Sequence, residues 1–204
     1  MSNTAVHVAV FDTLADWEIG YATAHIGRDS WQREPGRYPV VTVGPSREPV
    51  TTMGGLRVIP DIALAELRPQ DSAMLILAGG DRWDQDSMAG FRAAARCFLT
   101  AGVPVAAICG ATYGLAIEGL LDDRAHTSNA AEYLASSGYA GGDRYVPEPA
   151  VTDGDLITAS ATAPVHFASA IFARLGLYEP DVAASWLKLY RDRDPAGYFE
   201  LMSV

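Results

Sequence analysis

The chain is poor in cysteine, in histidine and in positive charge, and each shortage removes a class of function. Only Cys97 and Cys109 occur among 204 residues, which makes no disulfide framework and no zinc pattern. A reducing cytoplasm is the expected setting, and neither a metal nor a cofactor is called for. Lysine and arginine number 15 against 25 acidic residues, for a net charge of −10. Phosphate contacts need clustered cations, so nucleic acid is not an expected partner, and neither is an anionic membrane surface. That charge leaves neutral and cationic small molecules open. No stretch reaches the roughly 18 uninterrupted apolar residues that a spanning helix needs. The first residues lack the basic region and cleavage site of a secretory signal. Internal repeats and low-complexity linkers are missing too, so one domain over residues 1–204 is expected, long enough to bury a substantial core.

What is present is an alternation of apolar runs and amphipathic stretches. Ala5–Phe11, bounded by Asp12 and Thr13, reads as a buried first strand. A helix over Asp16–Arg28 follows, with Trp17 and Glu18 close to the loop before it. Tyr38–Val43 reads as a second strand and Val50–Pro60 as a small hairpin turning at Gly54-Gly55. Ser72–Ala78 is a continuous apolar run that stops at Gly79-Gly80, as a central parallel strand would. The spacing of Met88, Phe91, Ala95, Phe98 and Leu99 predicts a helix over Asp86–Thr100, ended by Gly102. Val103–Ile108 is another buried strand, running into Cys109-Gly110 and a helix over Ala111–Gly119. Arg124–Ser128 is expected as a short strand and Asn129–Ser136 as a helix. Ala150–Thr152 and Leu156–Ala159 flank Asp153-Gly154 as a hairpin. Helices over Pro164–Leu175 and Pro180–Tyr190 follow, and the apolar tail is expected to dock.

This alternation implies right-handed crossovers around a mostly parallel sheet, and ligands of such sheets bind beyond the carboxyl ends of the strands. Three strand ends carry informative residues there: Phe11 leading to Glu18, Ala78 leading to Gly79-Gly80, and Ile108 leading to Cys109. Cys109 has small residues two before and two after it, Ala107 and Ala111. A nucleophile elbow needs them, because side chains at those positions collide across its tight turn. The helix that follows points its N-terminal amides at the sulfur, which favours thiolate. The plain alternative is an inert cysteine closing a strand. Gly80 and Gly110 are candidate N–H donors of an oxyanion hole. Glu18 is either an exposed helix-start glutamate or an acid that titrates together with the thiol. Among His7, His25, His126 and His166, His126 is the best candidate for a general base, since it follows the Cys109 helix and can return to the same edge. Cys97 reads as an ordinary helix position.

Several of these stretches resemble the ThiJ/PfpI superfamily, a branch of the class I glutamine amidotransferase-like fold. They are Phe11-Asp12 with Asp16-Trp17-Glu18, Leu77-Ala78-Gly79-Gly80-Asp81, Ala107-Ile108-Cys109-Gly110-Ala111 with Gly114-Leu115-Ala116, Gly119-Leu120-Leu121-Asp122, and Thr152–Ala159. They stand in family order and cover nearly the whole chain. The resemblance implies a flavodoxin-like three-layer sandwich and a homodimer. It implies Cys109 as the reactive cysteine, Glu18 as its hydrogen-bonding acid, and Gly80 and Gly110 as oxyanion donors. The chain departs from the family where many members carry Thr-Thr-His: without gaps, Asn129 takes the place of that histidine and His126 falls three residues earlier. Asn129 can hydrogen-bond a substrate but cannot take up a proton.

The expected activity is therefore that of a cysteine-dependent enzyme on a small carbonyl or amide substrate, whether hydrolase, glyoxalase or deglycase, or amidotransferase-like. Cys109, Glu18 and His126 are its candidate catalytic residues. Gly79, Asp81, Trp17, Trp83 and Asn129 are its candidate substrate contacts. The competing readings are a redox sensor that oxidises the same cysteine, an intracellular cysteine protease-like protein, and a binding module that kept the fold without catalysis.

Overall fold

The computed structural model describes residues 4–204. The chain runs β1 (Ala5–Ala9), α1 (Asp16–Gly27), β2 (Val40–Gly44), β3 (Val50–Thr51), β4 (Arg57–Val58), β5 (Ile62–Ala63), β6 (Ser72–Leu77) and α2 (Ala89–Thr100). It continues through β7 (Val105–Ile108), α3 (Gly110–Ile117), α4 (Ala131–Ala135), β8 (Ala150–Asp153), β9 (Leu156–Ala159), α5 (Pro164–Leu175), α6 (Pro180–Tyr190) and α7 (Ala196–Met202). Seven strands form one sheet in the order β5-β2-β1-β6-β7-β9-β8. Every neighbouring pair in it is parallel except β8 with β9, the hairpin that turns at Asp153-Gly154. β3 and β4 form a separate antiparallel pair.

The central strands bury both faces, which is why they read as continuous apolar runs. Period-two alternation sends Leu75, Leu77, Val105 and Ala107 to one face, against Phe91, Ala95 and Phe98 of α2 and Leu115 of α3. Val6, Val8, Met74, Ile76, Ala106 and Ile108 face the other side, against Ala22 and Ile26 of α1, Phe167 and Ile171 of α5, and Trp186 of α6. Helices thus cover both faces of a mostly parallel sheet, as the alternation predicted. Each such large side chain contributes about 1.5–3 kcal/mol by leaving water.

The departures from expectation lie at ends and edges. β1 stops at Ala9, although Val10 N–H still donates to Val43 O at 2.8 Å, because Thr13 turns the chain at φ +73°. The stretch before α2 is a short 3-10 turn, Asp86–Met88. Arg124–Ser128 is not a strand; it contributes one parallel bridge, His126 to Tyr145. α4 is shorter than Asn129–Ser136 at both ends. β5 was not foreseen, since two residues carry no periodicity. The tail docks as α7, whose Leu201 is buried. Gly197 permits the approach, since a Cβ there would lie 2.6 Å from Ser185 O of α6. Among the described residues, no helix is long and apolar enough to cross a membrane.

Candidate active site

β7 passes into α3 through Cys109, which adopts φ +57°, ψ −122°. A side chain in that region costs on the order of 1–3 kcal/mol and persists only where surrounding bonds hold it. Here Cys109 N–H donates to Ala159 O at 3.0 Å, on the neighbouring strand. Cys109 O accepts from Thr112 N–H at 3.1 Å and from the Thr112 hydroxyl at 2.6 Å. With its one proton given to that carbonyl, Thr112 Oγ1 accepts from the Ser128 hydroxyl at 2.6 Å. The strained turn is thereby tied to the segment that delivers Asn129.

Gly79 sits directly beneath the sulfur. A Cβ there would lie 2.7 Å from Glu18 Oε2, 2.8 Å from Cys109 Cβ and 2.9 Å from Cys109 Sγ. Only a glycine leaves room for the carboxyl and the thiol to share this spot. The Gly79 N–H, from a glycine expected as a substrate contact, donates to Glu18 Oε2 at 2.5 Å and so is engaged by the acid. Its carbonyl takes the Ala15 N–H at 3.0 Å, which fixes the start of α1 over the strand end. Glu18 is fully buried, and its Oε1 has no hydrogen-bond partner among the described residues.

Burial dominates the ionisation of both groups. It raises Glu18 to about 7, against the pull of the Gly79 N–H and the Cys109 thiol. It pushes Cys109 up to about 11; the Asn129 amide and the Gly110 N–H draw the thiol down, and the Glu18 charge pushes it further up. Two adjacent groups of this kind titrate as a pair. An ionised Glu18 opposes the thiolate. The carboxyl is the first of the pair to ionise, and a protonated Glu18 removes the repulsion that its charge exerts on a thiolate.

Asn129 reaches the sulfur. Its Nδ2 donates to Cys109 Sγ at 3.4 Å while its Oδ1 accepts from Ala161 N–H at 2.9 Å, which sets the orientation of the amide. His126 does not come to this edge. It is fully buried, its Nδ1 faces Arg124 O at 2.8 Å and its Nε2 faces the Tyr139 hydroxyl at 3.0 Å. Desolvation lowers its pKa, so it stays neutral. The expectation of a general base at His126 is corrected: its inward face is set by its packing between Tyr139 and Tyr145.

Above the sulfur opens a cleft of about 450 Å³, lined by Gly80, Asp81, Trp83, Asp84, Cys109, Gly110, Tyr113, Asn129, Tyr133 and Ser136. Gly80 N–H makes no hydrogen bond among the described residues. Gly110 N–H, in the first turn of α3, lies outside the helix's internal bonding. Trp83 is buried in the wall, held by its indole N–H on Ala78 O at 2.9 Å. Asp81 lines the mouth, its N–H on Thr13 Oγ1 at 3.2 Å. Trp17 lies elsewhere: it is 51% exposed, lines a separate groove with Tyr21 and Tyr190, and donates its indole N–H to Ala161 O at 3.3 Å. Of the expected substrate contacts, Trp17 is one that does not line this cleft. Asp84, Tyr113 and Tyr133 were missed. Tyr113 was within reach of the sequence, lying four residues after Cys109 on one helix face; Tyr133 was not, since α4 is positioned only by packing. Among the described residues, no group of three or more His, Cys, Asp or Glu side chains converges as metal ligands would.

Comparison with known proteins places the chain in context. The model of the DJ-1/PfpI family matches residues 4–174. The chain is 39% identical over 207 residues to the Bacillus subtilis protein named "Uncharacterized protease YoaZ", covering 100% of this chain and 99% of that one. A ThiJ/PfpI family protein from Bacillus anthracis has a crystal structure that superposes with a TM-score of 0.91 at 39% identity, over 98% of this chain and 96% of the other. A DJ-1 superfamily protein from Agrobacterium tumefaciens superposes with a TM-score of 0.82 at 34% identity, over 93% and 99% of the two chains.

Proposed function

This chain belongs to the DJ-1/PfpI family, and we propose that it is an enzyme in which Cys109 attacks a small carbonyl or amide substrate. The observation that carries this reading is the shared seat at Gly79, where the thiol of a residue with strained backbone and a fully buried carboxyl crowd the space that a side chain there would fill. The thiolate forms a C–S bond as the carbonyl π pair moves to oxygen. The N–H groups of Gly80 and Gly110 hold the developing oxyanion, and Glu18 carries the proton that oxygen takes up. Asn129 steadies the thiolate before attack and has no proton to give. With His126 turned inward, no imidazole stands at the cleft to protonate a departing amine. Carbonyl addition is therefore favoured over peptide cleavage, the activity in the name of the Bacillus subtilis relative. Cys109→Ser is expected to reduce turnover of a responsive substrate by at least about 10³-fold; turnover within tenfold of the parent protein overturns the proposal.

A second reading has one observation in its favour, the buried Glu18 carboxyl beside the sulfur, whose Oε1 is unpartnered among the described residues. Hydrogen peroxide converts a thiolate stepwise to sulfinate, each peroxide leaving as water, and a protonated Glu18 would donate to a sulfinate oxygen. Intact-mass measurement after dilute peroxide reads this: a stable two-oxygen adduct on Cys109, lost in Glu18→Leu, supports sensing, and an adduct indifferent to Glu18 counts against it. Pairing of two copies belongs to the same proposal, and a monomer by sedimentation equilibrium at micromolar concentration removes it.

A further inference from the structure

The cleft over Cys109 has a one-sided charge. Its lining includes the carboxylates of Asp81 and Asp84 and contains no lysine, arginine or histidine. Neither aspartate belongs to any ion pair among the described residues. Arg82, between them in sequence, is exposed and does not line the cleft. Arg92 and Arg96 on the neighbouring helix α2 are committed to Glu118, and Arg92 gives its Nη1 N–H groups to the carbonyls of Trp83 and Gln85. Among the described residues, no lysine, arginine or histidine lines the cleft or pairs with either aspartate.

Part of the lining is aromatic. Tyr113 and Tyr133 pack with ring centroids 5.1 Å apart at 40°, and both line the cleft with Trp83. Ring faces beside carboxylates attract a cation by two independent terms, quadrupole and charge. Beside the sulfur lies the fully buried Glu18, whose Oε2 takes the Gly79 N–H and whose Oε1 has no hydrogen-bond partner among the described residues.

We propose that this cleft selects substrates with a positive charge: a primary ammonium or guanidinium group on a small carbonyl or amide compound. The cation sits between Asp81, Asp84 and the tyrosine pair while the electrophilic carbon meets Cys109. Anionic carbonyl compounds are excluded by the same field. The inference rests on Cys109 being the nucleophile, and its test separates the two.

The test uses methanethiosulfonates of three charges: the cationic 2-aminoethyl, the neutral methyl and the anionic 2-sulfonatoethyl reagents. In each case the Cys109 thiolate attacks the sulfenyl sulfur, a mixed disulfide forms, and methanesulfinate leaves with the bonding pair. Rates are read by intact mass in a Cys97→Ser background, since Cys97 is exposed. Ratios between reagents cancel the thiolate fraction. The cationic reagent is expected to react at least about tenfold faster than the anionic one at low ionic strength, with the advantage shrinking as salt screens it. In Asp81→Asn/Asp84→Asn the ratio is expected to fall to about threefold or less. Rates independent of reagent charge overturn the selection while leaving the nucleophile intact. A preference that survives unchanged in the double variant overturns it too, since the field then comes from elsewhere. A Cys109 that reacts with every reagent no faster than Cys97 does in a separate Cys109→Ser protein removes both readings. Circular dichroism confirms that the double variant is folded, and Asp84→Lys, which should invert the preference, gives an independent arm.

Discussion

Helix α1 carries two buried ionisable side chains, Glu18 near its start and His25 near its end, about two helical turns apart. Burial shifts both toward the neutral form, Glu18 raised to about 7 and His25 lowered to about 4. Their surroundings differ. His25 sits among the rings of Trp31, Phe172, Trp186 and Tyr190, and its Nε2 accepts the Trp186 indole N–H at 3.2 Å. That bond puts its proton on Nδ1 and leaves the ring without a role beyond packing. Glu18 has one satisfied oxygen and one unsatisfied, a thiol beside it, and an open cleft beyond the thiol. Burial shifts both groups toward neutrality, and only Glu18, with an incomplete hydrogen-bond set beside a thiol, is placed to carry a proton in the proposed reaction.

The sharpest way to break the comparison is to remove the proton at each end. Glu18→Gln keeps the shape and the bond to Gly79 N–H but carries no titratable proton. It is expected to lower turnover by about 10²–10⁴-fold and to abolish any inflection near pH 7 in the alkylation of Cys109. His25→Phe should leave turnover of the folded protein within a factor of about two. Turnover lost equally in both would show that α1 acts through its packing alone.

The ring cluster answers to stability instead. Trp186→Ala opens a cavity beside His25 and takes away the donor to its Nε2, so a loss of about 3–5 kcal/mol in urea unfolding is expected, with kcat of the remaining folded protein unchanged. A loss under about 1 kcal/mol would mean that the cluster collapses around the gap.

The smallest effects are slopes of stability against pH, and they oppose one another. Glu18 has a folded value near 7 against an ordinary 4.5, so the folded chain binds its proton first. Its contribution is full below pH 4.5 and lost as pH rises through 7. His25 has a folded value near 4 against an ordinary 6.5, so the unfolded chain binds its proton first. Its contribution is full above pH 6.5 and lost as pH falls through 4. Each is worth up to about 3 kcal/mol across its window. Urea unfolding between those limits should show Glu18→Gln steepening the loss toward acid and His25→Phe flattening it. Parallel curves for the two variants would contradict the assignment of either shift.

Features whose cause is local were legible in the sequence. Gly154 takes φ +59° in the hairpin that Asp153-Gly154 announced. The small residues around Cys109 announced a turn that is found strained at φ +57°. The continuous apolar runs at Ser72–Ala78 and Val103–Ile108 became central strands because two helical layers bury both their faces. Side-chain direction was less accessible. His126 and Asn129 lie three residues apart on one irregular segment. Thr127 is pinned through its N–H to Thr158 Oγ1 at 2.9 Å and through its hydroxyl to Glu148 O at 2.8 Å. Those two bonds lie between them, so one side chain turns into the core and the other toward the sulfur. Trp17 and Glu18, adjacent in sequence, diverge for a simpler reason: neighbours on a helix never share a face.

By itself, then, the sequence determined the layered α/β arrangement, the sharp turn at Cys109 and the glycine beneath it, since periodicity, small-residue spacing and φ preference act over a few residues. Tertiary structure alone decided which side chains surround the sulfur. Asn129 rather than His126 reaches it, Glu18 meets it across Gly79, and Asp84, Tyr113 and Tyr133 wall the cleft. Each of those placements depends on partners far apart in the chain, whose hydrogen bonds and packing exist only once the sheet and its helices have closed around them.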